Sequence, residues 1–502
     1  MRGTNQLKVQ AMTCICLAFV FAFCATMANA QAPIILPNTP ESTSVLVGKA
    51  IHSGAIQLPQ SVETFSLLPA LTCSPVPCVL PNVQASGGTN IANEDPIASN
   101  PTNSAQLLTG ANDYSCTTSL QGFYASSDGG STWTRTCLPA ISGGSGLGDP
   151  SVGYDRLGNT FAGGIQASSQ QDIVISKSTN NGTTWGTPAI AVTPTISGGA
   201  TDKEWLQVDT TSTSPHANCL YVSNTQFDST FTKTQISVSH SCDHGATWKI
   251  VTVDPVQSSV IDQFSDLAIG KDGSVYVSWQ RCPPTGPAGD CGGTTASMMI
   301  SKSTDGGNTW SSPVTMVTTN LAPDACGCAY YGSLPNTNER VSNIPAIGID
   351  NSSGKNAGHL YVVYYNWTGT QLKVLVSHST NGTTWSAGVP VAPSSATHDQ
   401  FFPWLSVAAN GEVAVTWLDR RNDPANLKYD VYATGSTSGG TGFLGDIKLT
   451  SVMSNPLDDG FGGGFMGDYT GNTIAGSTLY ASWMDMREGS FSQDYVGGYK
   501  VH

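Results

Sequence analysis

The chain has 502 residues, of which only 11% are charged, and a formal net charge of −14 at pH 7. An acidic surface repels nucleic-acid phosphates and anionic lipid headgroups, so neither is expected as a partner. Length alone would allow several domains, at roughly 150 residues each.

The first 30 residues have the three parts of a secretory signal peptide. Arg2 and Lys8 supply positive charge, residues 11–24 form a short apolar segment, and residues 28–30 are an Ala-x-Ala cleavage site. The apolar segment is too short to span a bilayer. We therefore expect a protein that is secreted or periplasmic after removal of residues 1–30, without insertion into a membrane.

Residues 31–85 form an N-terminal extension ahead of a repeated region. Within the extension, residues 44–51 are the candidate for a strand. The proline-rich residues 71–81 are predicted to be a linker. Residues 86–502 contain internal repeats, which override the length argument and predict one large domain.

The sequence has 13 cysteines, three of which lie in the signal peptide. An even number of cysteines in an oxidising compartment predicts disulfides. Local spacing favours the pairs Cys116–Cys137, Cys219–Cys242 and Cys282–Cys291. The pairing of Cys73, Cys78, Cys326 and Cys328 stays open, and Cys326 with Cys328 could alternatively bind a metal.

The pattern Ser-x-Asp-x-Gly-x-Thr-Trp, here called the Asp motif, recurs six times. Its copies lie at residues 126–133, 178–185, 241–248, 303–310, 379–385 and 436–443, with Asn or Ser in the Asp place in three of them. Asp or Asn accepts backbone N–H bonds across a tight turn, and Gly permits a positive φ. The motif therefore predicts a β-hairpin between the third and fourth strands of each repeat.

Each repeat also contains segments of alternating polarity separated by turn residues, which predicts antiparallel strands. First strands begin near residues 94, 149, 204, 263, 343, 402 and 467. Four-stranded units repeated radially form a β-propeller. We predict an all-β, seven-bladed β-propeller, with six blades as the alternative. The last repeat lacks a fourth strand, so the strand predicted at residues 44–51 would close the ring.

Charged and aromatic residues concentrate where first strands begin and second strands end. These loops would meet at the centre of one face, opposite the Asp motifs, where propellers bind ligands. The residues are Asp149, Lys203, Glu204, Trp205, Arg340, Trp404, Asp419, Arg420, Arg421, Asp468, Tyr469, Asp485 and Arg487. They could form a polar sugar-binding pocket, or Asp–Arg pairs that only cross-link neighbouring blades.

The Asp motifs resemble those of the sialidase (neuraminidase) superfamily, most closely its secreted bacterial members, and the resemblance covers residues 94–502. Sialidases hold the sugar carboxylate with three arginines, because a guanidinium matches a planar carboxylate. Carried over to this chain, the resemblance implies Arg340, Arg420 and Arg487 as that clamp. Arg421 and Arg281 are substitutes.

The same resemblance implies catalytic roles. Tyr469, or Tyr365, would be the nucleophile, Glu204 its base, and Asp149 or Asp468 the acid/base. Further candidates for substrate binding are Lys203, Trp205, Trp404, Asp419 and Asp485.

The expected function is that of a sialidase-like, exo-acting glycoside hydrolase that acts as a monomer on an extracellular glycan. The alternatives are a non-catalytic glycan- or protein-binding propeller, a uronate polysaccharide lyase with Tyr or Lys203 as its base, and a structural scaffold. Convergence of the three arginines would favour a sialidase, and saturation of each by its own aspartate would oppose it. No cofactor is expected, and a structural calcium ion among the carboxylates has no supporting loop motif.

Overall fold

The computed structural model describes residues 34, 36–58, 73–87, 90–392 and 397–501. The predicted signal peptide, residues 1–30, lies outside the described residues. Within the described ranges the chain forms one α-helix, α1 (Thr43–His52), a short 3-10 helix (Pro456–Asp458) and seven β-sheets. None of the helices in these ranges is long and apolar enough to cross a bilayer.

The seven sheets are the blades of a β-propeller, which confirms the predicted fold. Blade 1 consists of β2 (Ala92–Asn93), β3 (Ile97–Asn100), β4 (Asn103–Asp113), β5 (Gln121–Ser126) and β6 (Thr134–Cys137). Blade 2 consists of β7 (Ser145–Tyr154), β8 (Thr160–Ala167), β9 (Gln171–Ser178) and β10 (Ala189–Val192). Blade 3 consists of β11 (Ala200–Val208), β12 (Leu220–Phe227), β13 (Thr234–Ser241) and β14 (Lys249–Gln257).

The remaining blades repeat this antiparallel order from the inner to the outer strand. Blade 4 consists of β15 (Ile261–Ile269), β16 (Val275–Cys282), β17 (Thr295–Ser303) and β18 (Val314–Asn320), and blade 5 of β19 (Ala346–Ile349), β20 (Leu360–Trp367), β21 (Leu372–Ser379) and β22 (Val389–Pro390). Blade 6 consists of β23 (Gln400–Val407), β24 (Val413–Asp419), β25 (Asp430–Ser436) and β26 (Ile447–Lys448), and blade 7 of β27 (Gly471–Ala475), β28 (Thr478–Asp485), β29 (Gln493–Lys500) and β1 (Cys78–Gln84).

The ring closes through β1, which is the outer strand of blade 7 and pairs with β29. The N-terminal extension therefore completes the last blade, but the predicted segment is wrong. The true closing strand begins inside the stretch predicted as a proline-rich linker. Its Pro81 is tolerated because β1 is an edge strand and its register shifts between Leu80 and Val83.

Residues 44–51, predicted as the closing strand, belong to α1 instead. Val45, Val47 and Gly48 are buried against the propeller, while Lys49 points outward. Lys49 and His52 lie in the last turn, where positive charge suits the helix dipole. A short apolar stretch such as Val45-Leu46-Val47 does not by itself separate a strand from a helix.

The hydrophobic core lies between adjacent blades. One cluster joins Ala268 and Met298 of blade 4 to Ile347, Leu360 and Val362 of blade 5. Full burial of such a side chain is worth about 1.5–3 kcal/mol. Packing between blades is thus what fixes their inner strands around the axis.

The Asp motifs close hairpins between third and fourth strands, as predicted. In the copy between β17 and β18, Asp305 accepts hydrogen bonds from the Ser303 hydroxyl at 2.8 Å and from the Thr309 amide and hydroxyl at 2.9 and 2.7 Å. The Gly307 amide donates to the Ser303 hydroxyl at 2.8 Å. These bonds remain within the turn, so the motif has a structural role.

Disulfides join Cys116–Cys137, Cys219–Cys242 and Cys282–Cys291, which confirms the predicted pairs. The open pairings resolve as Cys73–Cys78 and Cys326–Cys328. Five disulfides in the described residues are consistent with folding in an oxidising compartment.

Candidate active site

The start of each inner strand is distorted in a way that aims side chains at the propeller axis. Glu94, Asp149, Lys203, Phe264 and Phe402 have positive φ values of 63°, 54°, 43°, 63° and 44° at equivalent places in five blades. The pairing register shifts beside four of them, in β7, β11, β15 and β23. Such bulges redirect side chains, and positive φ at non-glycine residues is often retained for function.

These distortions assemble a buried set of polar residues, which we call the central cluster. Its members are Glu94, Asp149, Asp202, Lys203, Glu204, Arg340, Asp468 and Tyr469, and each is at most 6% exposed. The cluster lies at the beginnings of the inner strands, on the face opposite the Asp motifs. Five of the residues with predicted catalytic or binding roles on blades 2, 3 and 7 are therefore brought together.

Asn112 of β4 links two acids of the cluster. Its side-chain amide donates to Glu94 Oε2 at 2.9 Å, and its Oδ1 accepts the Asp149 amide at 2.9 Å. The Asp468 amide donates to Glu94 Oε1 at 3.1 Å. Blades 1, 2 and 7 are thus connected through the cluster.

Lys203 lies over aromatic rings at the floor of the cluster. Its Nζ is 3.8 Å from the ring centroid of Tyr469 and 5.0 Å from that of Trp205. Trp205 in turn packs against Trp404, with ring centroids 4.4 Å apart. An ammonium placed over aromatic faces is stabilised by their quadrupoles. Lys203 Nζ also donates to the Glu204 carbonyl at 3.5 Å.

Burial dominates the electrostatics of the cluster. It raises the pKa of Glu94 and of Glu204 well above the ordinary glutamate value, and neighbouring Asp149 adds to both shifts. Burial also raises the pKa of Asp149, although Lys203 and the Ser44 hydroxyl oppose that shift. The pKa of Asp202 is raised to about 8 by burial and by the Asp149 charge.

Glu204 differs from the other acids of the central cluster, and shares with the nearby buried Asp95 a carboxyl group whose two oxygens are both unpaired among the described residues. Among the residues that the structure describes, neither of its carboxyl oxygens has a hydrogen-bond partner, although the side chain is fully buried. Asp149 Oδ2 is likewise unpaired within the described chain. An unsatisfied buried polar group costs about 1–3 kcal/mol, so its retention calls for a reason other than stability.

The N-terminal segment covers the cluster. The Ser42 amide donates to Asp202 Oδ2 at 2.7 Å, and the hydroxyls of Ser42 and Ser44 donate to Asp149 Oδ1, the former at 3.3 Å. Arg340 Nη1 donates to the Glu41 carbonyl at 2.9 Å. This segment, residues 36–52, is called the plug below.

The arginines predicted as a clamp each have separate partners. Arg340 forms a two-pronged ion pair with Asp468, with Nε to Oδ1 at 2.9 Å. Arg420 Nη1 donates to the Pro335 carbonyl at 2.7 Å and lies 3.4 Å from Asp399. They do not meet at one point, because only Arg340 belongs to the cluster.

Two of the predicted arginines repeat one local structure in neighbouring blades. In blade 6, Asp419 accepts the Trp417 indole N–H at 2.8 Å and a guanidinium N–H of Arg421 at 2.6 Å. In blade 7, Asp485 accepts the indole N–H of Trp483 at 2.9 Å and pairs with Arg487 at 2.7 Å. The repetition points to a structural role for these Trp-x-Asp-x-Arg segments.

Arg281, the other substitute for the arginine clamp, and Tyr365, the alternative nucleophile, also have partners outside the central cluster. Arg281 pairs with Asp262 and Asp254 at the side of blade 4. The Tyr365 hydroxyl donates to the Val341 carbonyl at 3.1 Å.

A cavity of about 450 Å³ opens at the other ends of the inner strands, away from the central cluster. Residues from all seven blades line it, including Leu206, Leu267 and Asn472. Trp205 and Trp404 also line it, so this tilted ring pair forms the wall between the cavity, called the channel below, and the central cluster. The predicted substrate-binding tryptophans therefore lie beneath the cluster.

Within the described ranges, one group of three potential metal ligands lies close together, namely Asp324, Cys326 and Cys328. The two cysteines form a disulfide, so they do not offer thiolates.

Sequence reasoning missed the residues of the plug and the linking Asn112. The plug carried a strand-like pattern, and its serines have no motif that predicts a contact with distant acids. Asn112 precedes Asp113 at the end of β4, so its position at the end of a second strand could have marked it as a candidate.

No family model matches the chain, and no curated protein matches it in sequence. Solved structures match its fold. An ulvan lyase from a new family of polysaccharide lyases aligns with a TM-score of 0.51 and 10% identity, over 84% of this chain and 96% of that one. An α-L-arabinanase from Penicillium chrysogenum aligns with a TM-score of 0.44 and 15% identity, over 69% and 92%.

An intramolecular trans-sialidase from Ruminococcus gnavus aligns with a TM-score of 0.43 and 13% identity, over 68% of this chain and 92% of that one. At these identities a likeness concerns the fold, and the ulvan lyase shares it over most of both chains.

Proposed function

We propose that the protein is a carbohydrate-active enzyme, an exo-acting glycoside hydrolase, with Glu204 as proton donor and Asp149 as the second carboxylate. The observation that carries the proposal is the pair itself: a buried acid with both oxygens unpaired beside a second acid that already accepts hydroxyl groups. Glycosidases need one protonated and one ionised carboxyl group.

The environments of the two acids differ in the required direction. Burial and the Asp149 charge raise the pKa of Glu204 well above its ordinary value, which favours the protonated acid. Burial also raises the pKa of Asp149, and Lys203 opposes the upward shift of both acids. Only Asp149 also accepts a hydroxyl group, that of Ser44, which favours its ionised form. Acid and base roles are separated by such differences between environments.

The shape of the site supports attack on a chain end. The Trp205–Trp404 pair walls off the cluster from the channel below. A site closed at its base receives the end of a glycan more readily than its middle. Tryptophan at the base also offers an apolar face to a sugar ring.

Tyr469 as nucleophile remains a prediction. Its hydroxyl donates to the Pro150 carbonyl at 2.8 Å, and burial together with Glu94 and Asp149 raises its pKa well above the ordinary tyrosine value. A phenol needs a base to become a nucleophile. Asp149 therefore suits the second catalytic role better, and Asp468 is committed to Arg340.

The test is a turnover screen on aryl glycosides of neutral and acidic sugars. Glu204→Gln is compared with Glu488→Gln, the same change at an exposed position. We expect Glu204→Gln to lower turnover by about 10²–10⁴-fold for a poor leaving group and much less for an activated one, because only the former needs a proton.

Equal losses for both leaving groups would contradict the proton-donor role. No turnover on any glycoside, including by the Gly48→Leu variant described below, would refute the enzymatic function. Glycan binding that persists without turnover would instead favour a non-catalytic binding propeller.

A further inference from the structure

The plug presents to the central cluster the same kinds of groups that a saccharide would. Its Pro40 carbonyl accepts from the Tyr331 hydroxyl at 2.9 Å and from Gln263 Nε2 at 3.3 Å. Its Glu41 carbonyl accepts from Arg340 at 2.9 Å. Hydroxyls of Ser42 and Ser44 donate to Asp149. Hydroxyl donors thus meet carboxylates, and neutral oxygens meet cationic or neutral donors.

The charged groups of the central cluster disfavour an anionic ligand. Nε and Nη2 of Arg340 donate to Asp468, and Nη1 donates to a neutral oxygen, the Glu41 carbonyl. Lys203 is buried over the rings of Tyr469 and Trp205. The Lys203 charge already acts on Glu94, Asp149 and Glu204, and every other charged group of the described cluster is an acid. A ligand carboxylate would therefore be buried among an excess of carboxyl groups, which is unfavourable.

We propose that residues 40–44 occupy the site as a built-in ligand mimic, and that the ligand they imitate and must yield to is a neutral polyhydroxylated saccharide. This inference rests on the proposed function, since it assigns the substrate class and the access to the same site. Sialic acids and uronates are excluded by it.

The way the plug is seated provides a means to remove it without altering the cluster. Gly48 of α1 lies directly on β7, and a Cβ placed there would stand 2.5 Å from the Leu147 carbonyl oxygen. Backbone cannot move aside as a side chain can. Gly48→Leu should therefore lift α1 and the preceding residues, while every cluster residue is retained.

Ala55, just beyond α1, is exposed and supplies the matched control, because Ala55→Leu adds bulk without a clash. Ser44→Ala is a second, gentler variant that removes one hydroxyl donated to Asp149. It keeps the proposal testable where Gly48→Leu does not fold.

Displacement of the plug is measured by tryptic cleavage after Lys49, whose side chain is 43% exposed but whose neighbours Gly48 and Ala50 are buried and half-buried within α1. Binding is measured by calorimetry with lactose, maltotriose, arabinotriose and di-N-acetylchitobiose, beside sialyllactose and trigalacturonate. We expect faster cleavage in Gly48→Leu than in wild type or Ala55→Leu. We also expect at least one neutral saccharide to bind at least about tenfold more tightly, because a closed majority state reduces apparent affinity by its population.

Three results would overturn the inference. Unchanged cleavage and unchanged saccharide affinity in both Gly48→Leu and Ser44→Ala would show that the plug does not guard the site. Tighter binding of sialyllactose or trigalacturonate than of every neutral saccharide would refute the ligand class. Rapid cleavage with no saccharide bound would refute the mimicry.

The proposed function can fail independently. Faster cleavage and tighter neutral-saccharide binding by Gly48→Leu, without turnover of any glycoside, would support the mimicry and refute the hydrolase.

Discussion

The acids of the Asp motifs and the acids of the central cluster are opposites in exposure, bonding and charge. Asp243 and Asp305 lie at exposed turns, accept several hydrogen bonds, and have pKa values lowered to about 2, chiefly by the threonine hydroxyl of each turn. Glu94 and Glu204 are fully buried, and burial raises their pKa values well above the ordinary value.

The difference shows which acids the fold needs. A carboxylate that accepts nearby N–H and O–H groups in a turn stabilises that turn wherever it is placed. A buried acid without partners is a cost to the fold. The acids of the Asp motifs are therefore explained by structure, whereas Glu204, whose oxygens have no partner among the described residues, calls for a chemical role.

The sharpest test of this contrast is removal of the cation from the one fully buried ion pair of the cluster. Arg340→Met should leave Asp468 buried and unpaired, and we expect a loss of about 3–5 kcal/mol in the free energy of unfolding. Denaturant titration measures it.

The control is Arg487→Met, because Asp485 keeps the Trp483 indole bond and the arginine is partly exposed. A loss at Arg340 no larger than that at Arg487 would remove the energetic distinction between the cluster and the repeated Trp-x-Asp-x-Arg segments.

The buried acids of the propeller and the exposed acids of the Asp motifs should give opposite dependences of stability on pH. The pKa of Asp202 is raised to about 8 and those of Asp266 and Asp494 to about 7, in each case chiefly by burial. The folded state then holds protons that the unfolded state has released, so stability should fall as pH rises from about 4 to 8.

The acids of the Asp motifs affect stability only at acidic pH. Because the pKa values of Asp243 and Asp305 are lowered, their contribution is present above the ordinary aspartate pKa and is lost as pH falls towards 2. Thermal unfolding from pH 2 to 9 should show a maximum near pH 4–5. Asp202→Asn should flatten the alkaline side, and a melting temperature that rises between pH 5 and 8 would contradict the assignment.

The smallest loss in the free energy of unfolding is expected for substitutions in the Asp motifs. Asp305→Ala removes the acceptor of three hydrogen bonds in one turn and should cost about 1–2 kcal/mol. Asp305→Asn should cost less, because Asn180 and Asn381 make the equivalent bonds in two other copies. Equal losses in the two variants would show that the charge, not the hydrogen-bond geometry, stabilises the turn.

The fold could be predicted from sequence because its information is local and repeated. Each Asp motif specifies a turn by its own residues, and alternation specifies the strands beside it. The closing strand could not be located, since β1 contains a proline, Pro81, and pairs with β29 more than 400 residues away in the chain. The plug was missed because Val45 and Val47 fit a strand as well as a helix.

The position of the candidate site on the propeller could be predicted from sequence, but its hydrogen bonds and ion pairs could not. Strand starts correctly placed Asp149, Lys203, Glu204, Asp468 and Tyr469 near one another. The sequence did not reveal the positive φ values that aim Asp149 and Lys203 inward, because those arise where neighbouring strands shift register. The arginines looked equivalent in sequence, and only the contacts separate Arg340 from the others.

The most direct test of the central claim is the protonation state of Glu204 at neutral pH, read by infrared difference spectroscopy. Wild type is compared with Glu204→Gln and, as the rim control, with Asp305→Asn. We predict that Glu204→Gln removes a protonated-carboxyl C=O band, whereas Asp305→Asn removes only carboxylate absorption. Loss of carboxylate absorption in Glu204→Gln would show that Glu204 is ionised at rest, and would contradict its role as proton donor.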